Sequence, residues 1–505
     1  MSEMQTPLRA ELVQQAFDPE FFRQQGHQLI DQLADYFRQA QSGEAMPIMP
    51  WEQPNVRAAY YEALLQKNEA SLPQDFFSSL IYQNIHTLHP HYMGHQVASP
   101  APLNALADLL ASAMNAGTGV YEMGSPLVAI ERALVKNLNQ VLGYGPEADG
   151  FMTNGGTLGN LTALLTARQV RQAREGVSSL PKPALMVSEA AHYCVERAAK
   201  VMGWGEAGVI KIPVDAQYQM RADLLPAYYE QALKEGKTIV AVVANACSTA
   251  TGAYDNIEVI ADFCEMHQIW LHVDGAHGAA VIFSDKYKKK VEGIHRADSV
   301  VIDFHKMLLT SALTTALLYK NGDDSYQTFS QHASYLWADD EEREWYNLGK
   351  RTFECTKSTL GLKAYLLWHT YGPGLFAQHI DYLYDLGHYF GKMIAESADF
   401  ELPVAPQSNI ICFRYCPADV PATALNALNG FIREALITSG SFYIVQTQLA
   451  GQLYLRITLM SPFTNASTLE ALLQNLRALG QQYLQKQMAS PLKGAGLGVF
   501  VEPQK

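Results

Sequence analysis

The spacing of apolar and polar positions changes character near residue 150. Before that point apolar residues recur at helical intervals. In "PEFFRQQGHQLIDQLADYFRQA", residues 19–40, Phe22, Leu29, Ile30, Leu33 and Phe37 fall on one stripe of an amphipathic helix, and that stripe needs a partner. A proline-marked extended piece, "MPIMPWEQP", and a stretch rich in histidine and aromatic residues, 75–98, come next. Helical patterns return at about 101–117 and 126–143. From about 150 short apolar runs alternate with helical segments. "GFMTNGG", "ALMVSE", "GVIKIPV", "TIVAVVANA", "WLHVDGA" and "SVVIDFH" read as strands. This alternation predicts an α/β domain with a mostly parallel sheet and helices on both faces. After about 370 a long helix, "YGPGLFAQHIDYLYDLGHYFGKMIAES", is followed by strands "NIICFRY" and "LYLRITLM" mixed with helices. The predicted division is an N-terminal helical segment (1–95), a large domain (96–374) and a small α+β C-terminal domain (375–505).

Two of the predicted core strands end in ionisable residues: one in Asp274, the other in His305 and Lys306. In open α/β sheets ligands bind outside the carboxyl ends of the strands, so both ends point to one site. A lysine at a buried strand end is costly as a free ammonium. It becomes sensible if it forms an imine, and the carboxylate becomes sensible if it holds a proton on a pyridine ring. Pyridoxal 5′-phosphate (PLP) uses both. A phosphate cup is also present, in "MTNGGTLGNLTALL". Gly155 and Gly156 permit close backbone approach, and Thr157 opens a helix whose free N–H groups attract an anion.

The bulk properties narrow the field. The 505 residues are 48% hydrophobic and 17% charged, ordinary for a globular protein. The net charge of −13 argues against nucleic-acid and anionic-membrane partners. Six scattered cysteines form no CxxC and no zinc-like spacing, so no metal is expected and reduced thiols in a cytoplasm are. The opening residues lack the apolar core of a signal peptide, and no apolar run reaches 18 residues.

Taken in order, "TNGGTLGNL", "SEAAHYCVERAA", "ACSTATGAYDN", "HVDGAHGAA" and "DFHKMLLT" resemble the group II PLP-dependent amino-acid decarboxylases. That family includes the glutamate, cysteine sulfinate, aromatic amino-acid and 2,4-diaminobutyrate decarboxylases. Each motif alone is unspecific; their order, ending in His-Lys, carries the resemblance over essentially the whole chain.

The resemblance implies an aspartate-aminotransferase-like fold (fold type I) and a homodimer with its active site at the interface. It implies that Lys306 carries PLP, that Asp274 pairs with the pyridinium, and that Ala276 packs against the ring. His192 would stack on the other ring face and contact the carboxylate being lost. Thr249 would bond near the ring oxygen or the aspartate. Gly156, Thr157 and His305 would hold the phosphate, and Arg456 in "YLRITLM" the substrate α-carboxylate. Tyr121 and Glu122 would lie near the partner's site. In "HPHYMGHQVASP" either His95 or Gln96 would meet the substrate, while His86 and His89 are structural. The Cα proton donor would be a loop tyrosine, Tyr346 or Tyr335.

The expected reaction is α-decarboxylation of an L-amino acid to an amine and CO2. The loop's acidic run, Asp339 to Glu342, suits a diamino acid; "YEMGSP" leans to the acidic branch. Small acidic or diamino acids are therefore favoured over aromatic ones. The alternatives are another fold-type-I reaction (aldehyde-forming decarboxylase, aminotransferase or lyase) and a catalytically dead relative acting as a binding partner.

Overall fold

In the computed structural model, residues 11–43, 46–67, 73, 75–330 and 344–489 are described. Tyr335 and the acidic run 339–342 lie outside them.

Seven strands form the central sheet: β1 (Asp149–Thr153), β2 (Pro183–Ser188), β3 (Val209–Ile212), β4 (Thr238–Asn245), β5 (Trp270–Asp274), β6 (Ser299–Asp303) and β7 (Thr315–Tyr319). Their order is β1-β7-β6-β5-β4-β2-β3. Every residue of β1, β5, β6 and β7 is buried, which is why these strands read as unbroken apolar runs. Helices such as Gly156–Glu175 and Ile257–His267 provide the crossovers. The latter is capped by Asn256, whose side chain accepts from Val259 N–H at 3.2 Å.

One strand of the central sheet escaped the sequence reading. β7 pairs antiparallel with both β6 and β1, in a sheet whose other neighbours are parallel. The link from β6 to β7 holds only the short helix Phe304–Met307, too little for a parallel crossover, so the chain turns straight back.

The second sheet is antiparallel, in the order β10-β11-β9-β8: β8 (Phe400–Glu401), β9 (Ile410–Tyr415), β10 (Val445–Leu449) and β11 (Gln452–Thr458). The helices Gly374–Ala395, Leu425–Ser439 and Ala466–Ala489 accompany it. The histidine-rich stretch threads between the two sheets. Met93 N–H donates to Tyr443 O at 2.9 Å, Thr458 N–H to Met93 O at 2.9 Å, and Ala98 N–H to His305 O at 3.1 Å.

The first long helix, Pro19–Ser42, starts with Asp18 accepting from Glu20 N–H and ends at Gly43 in the left-handed region. Its expected apolar stripe is only partly covered: Leu29, Leu33 and Phe37 are half-buried, while Phe22 is 60% exposed and Ile30 43%. Among the described residues no helix is long and apolar enough to cross a membrane.

Candidate active site

β5 and β6 are parallel neighbours, so their carboxyl ends open side by side. The turn after β1 closes the third side. Together they bound a cavity of about 420 Å3 whose walls include Gly156, Thr157, His192, Thr249, Asp274, Ala276, His305 and Lys306. Segments up to 150 residues apart in sequence thus deliver eight of the expected site residues to one hollow.

Lys306 faces two carboxylates. Its Nζ lies 3.0 Å from Asp303 Oδ2. Burial pulls the amine's pKa down, but Asp303 and Asp274 outweigh it and leave the pKa above the ordinary lysine value. His305 lies beside the same carboxylate, Nε2 3.5 Å from Asp303 Oδ2, with its Nδ1 edge against the Thr314 backbone. Thr315 on β7 donates its hydroxyl to Asp303 Oδ1 at 2.5 Å. The antiparallel return therefore holds the lysine's counter-ion. Replacing Asp303 by Asn should lower the Lys306 pKa. In the cofactor-free protein, the pH midpoint for amine labelling at Lys306 should fall accordingly; an unchanged midpoint would discount Asp303.

The glycine turn fits an anion cup. Gly155 has φ +92°, a conformation that disfavours side chains. A Cβ on Gly156 would lie 3.2 Å from both Asp303 carboxylate oxygens and 3.3 Å from Ala276 Cβ. The helix Gly156–Glu175 aims its N-terminus at the cavity, where its free N–H groups favour a phosphate. We expect Gly156→Ala to weaken PLP binding roughly tenfold by crowding that cup, read as the Kd from fluorescence quenching.

His192 caps the helix Tyr193–Val201, its Nδ1 accepting from Cys194 N–H at 3.4 Å. Burial, with Lys306 and Arg197 adding to it, lowers its pKa despite Asp274 and Asp303, so a neutral ring lies over the cavity. Asp274 is buried and accepts from Ala276 N–H at 3.3 Å. Gly275 is obligatory in that turn: a Cβ there would lie 2.3 Å from Ala279 Cβ.

Arg456 on β11 is 6% exposed and is not among the cavity's lining residues. Its Nε and Nη2 are buried without a partner among the described residues. Those two atoms form the side-on fork that Arg477 uses to clasp Asp399 at 2.7 and 2.8 Å. The Arg456 fork is open to a carboxylate. Gln96 likewise has a buried, unpartnered Nε2. His95 is exposed; burial first, then Arg456 and Arg433, lower its pKa.

Tyr346 is outside the cavity lining and packs on Tyr121, ring centroids 5.4 Å apart. Asn347 Oδ1 accepts from Tyr121 N–H at 3.0 Å and anchors that pairing. The Tyr121 segment borders a second hollow of about 880 Å3, whose lining includes Val120 and Met123 and which shares Asn154 and Leu313 with the first. Glu122 is exposed there.

Several wall residues were missed. Asp303 was read as an interior residue of the strand "SVVIDFH"; the strand ends at it, His305 and Lys306 fall on the helical turn Phe304–Met307, and its place three residues before Lys306 was a usable signal. Arg197, Asn160, Asn245, Cys194 and Cys247 also line the cavity. His277 gave no signal beyond its place in "VDGAHG". Asn409 Nδ2 donates to Leu459 O at 2.7 Å, so its Oδ1 must accept from His277 Nε2–H at 2.8 Å. Burial, assisted by Lys306, lowers the His277 pKa to about 3. Its Nδ1 is therefore a bare acceptor, without a partner among the described residues.

This donor set fits one cofactor: a lysine between carboxylates, an acid at the floor, a neutral imidazole above it and an anion cup. Residues 55–416 match the family model of the pyridoxal-dependent decarboxylase conserved domain, and the chain belongs to that family. It is a PLP-dependent carboxy-lyase acting on an amino acid. Among its relatives are an aromatic-L-amino-acid decarboxylase of Bacillus atrophaeus (26% identical; 92% of this chain, 96% of the relative) and the acidic amino acid decarboxylase GADL1 of Homo sapiens (28%; 80% of each). An L-2,4-diaminobutyrate decarboxylase of Acinetobacter baumannii is 28% identical over 77% of this chain and 80% of its own. Among solved structures, mouse CSAD superposes with a TM-score of 0.83 at 24% identity, covering 92% of this chain and 99% of that one, a likeness of fold.

Proposed function

We propose that this enzyme decarboxylates a small acidic L-amino acid, aspartate or glutamate, with a small diamino acid such as 2,4-diaminobutyrate as the second reading. The observation that carries the proposal is the open guanidinium fork of Arg456 together with a second arginine nearby. Arg433 also has a buried Nε without a partner among the described residues, and both guanidiniums act on His95. Two cations beside His95 suit two carboxylates. They disfavour an ammonium side chain by simple repulsion. The diamino reading rests on the acidic run 339–342 and on the relatives of that specificity.

PLP, when bound, accepts the electron pair left behind as CO2 departs. We assign the roles of this chain's residues from the resemblance, supported by their places in the cavity. Lys306 anchors the cofactor. Asp274 holds the proton on its ring nitrogen, and Ala276 supports the ring. His192 covers the other face as a neutral ring. Thr249 bonds at the edge of the ring. Gly156, Thr157 and His305 seat the phosphate, with Asp303 orienting His305 and Lys306. Arg456 fixes the α-carboxylate so that the bond to be broken is held in one orientation. Gln96 and His95 meet the rest of the substrate.

We place Tyr346 and Tyr121 at a homodimer interface, where Tyr346 delivers the Cα proton to the partner's cavity. The exposed Phe22 and Ile30 of the helix Pro19–Ser42 suit the same interface. Six free thiols fit a reducing cytoplasm.

Purified protein with PLP and no keto acid should convert aspartate or glutamate into an amine lighter by the mass of CO2. The panel includes the twenty common L-amino acids, ornithine, 2,4-diaminobutyrate and cysteine sulfinate. Turnover only of diamino acids would replace the first reading by the second. Aldehydes or keto acids in place of amines would overturn the reaction itself.

A further inference from the structure

Behind the cofactor cavity runs a chain of buried polar groups that the chemistry above does not use. Trp270 Nε1 donates to Ser299 Oγ at 2.8 Å. Ser299 Oγ lies 2.8 Å from His272 Nδ1, and His272 Nε2 lies 2.7 Å from Asn160 Oδ1. Asn160 Nδ2 donates to Cys194 Sγ at 3.3 Å. All five residues are at most 4% exposed.

The polarity of this chain is fixed by what each group can do. An indole N–H only donates, so the first link runs from Trp270 to Ser299. Ser299 then has one proton to give, and His272 Nδ1 is its acceptor. Burial lowers the His272 pKa to about 4, so the ring is neutral and its single proton sits on Nε2. That proton goes to Asn160 Oδ1, and the amide turns its N–H to Cys194. The opposite polarity would strand the Ser299 hydroxyl proton in a dry interior. As oriented, none of these side chains is left without a partner.

Every link therefore points the same way, from the start of β5 to the cavity floor. Its end point is specific. His272 and Asp274 are two residues apart on β5, hence on one face of the sheet. Asn160 and Cys194 line the cavity with Asp274. Asp274 is also the charged group with the largest effect on both His272 and Cys194. Apolar residues of similar volume would fill such a core without the desolvation cost of four buried polar groups, so their alignment calls for a reason.

We propose that Trp270, Ser299, His272 and Asn160 form an oriented hydrogen-bond relay that stabilises the negative charge on Asp274 and so strengthens its hold on the protonated ring nitrogen of the cofactor. These are positioning residues, acting through Asp274. The inference rests on the role given to Asp274 under the proposed function.

The test compares two cofactors on cofactor-free enzyme: PLP, and 1-deaza-pyridoxal 5′-phosphate, in which a carbon replaces the ring nitrogen. His272→Leu should raise the Kd for PLP about tenfold. The Kd for the deaza compound should not change, because it has no ring nitrogen to hold. Ser299→Ala removes one oxygen and should give the same discrimination, about two- to threefold, even if the leucine variant does not fold. Equal losses for both cofactors, or no loss for either, would overturn the relay. Asp274→Asn is the control. If it fails to separate the two cofactors, the role of Asp274 is what falls; if only the relay variants fail to separate them, the relay alone falls.

Discussion

Lys306→Ala protein will lose decarboxylase activity by at least about 10³-fold and will no longer retain PLP through borohydride reduction and denaturation. The expectation follows from placement. Lys306 is the one lysine among the cavity's lining residues, on the helical turn that follows a fully buried strand and facing two carboxylates. An alanine there removes the covalent anchor while leaving the phosphate cup, Asp274 and His192 in place. Reversible PLP binding should survive, weakened. Mass spectrometry of the reduced, digested wild type should find the cofactor on the peptide containing Lys306. Cofactor fixed to any other lysine, or fixed equally well in the variant, would show that the anchor has been misplaced.

Arg456→Met should lower kcat/KM by about 10²-fold or more. Truncating one partner of a buried, hydrogen-bonded charge pair costs about 2–5 kcal/mol. Here the second partner is the substrate carboxylate, so the loss appears only when substrate binds. PLP affinity should stay near wild type, because Arg456 is not among the residues lining the cofactor cavity. Arg456→Lys should rescue little, since one ammonium cannot reproduce a side-on fork. Wild-type kcat/KM in the methionine variant would remove Arg456 from the substrate site. An equal loss of PLP affinity and activity would point to damage to the small domain instead.

The sequence made the cofactor chemistry legible because each group sits at the end of a short apolar run, a local signal. Asp274, Lys306 and the Gly155-Gly156 turn were all readable this way. The central strands were legible for the same reason: burial on both faces leaves unbroken apolar runs. What escaped depends on contacts between distant segments. β7 is an apolar run like the others, but its direction is set by the brevity of its link to β6. The acceptor on His277 exists only because Asn409, 132 residues away, fixes the tautomer. Tyr346 was named as a loop tyrosine, and its place in the sequence could not show that Asn347 would tie its segment to Tyr121.

The antiparallel placement of β7 also bears on how the chain comes to be folded. Thr153, beside the glycine turn, faces Thr315 in the β1–β7 register, and Asp149 faces Tyr319. β1 therefore lacks its only sheet partner among the described residues until residues more than 160 positions later have been made. Pairings of such separation carry a large loop-closure cost and are slow to form. The anion cup, the lysine turn and the Asp303–Thr315 contact all depend on that late event. Cofactor binding should thus stabilise the finished domain by mass action while doing little to hasten its assembly. A nascent chain ending before residue 319 should show no affinity for PLP.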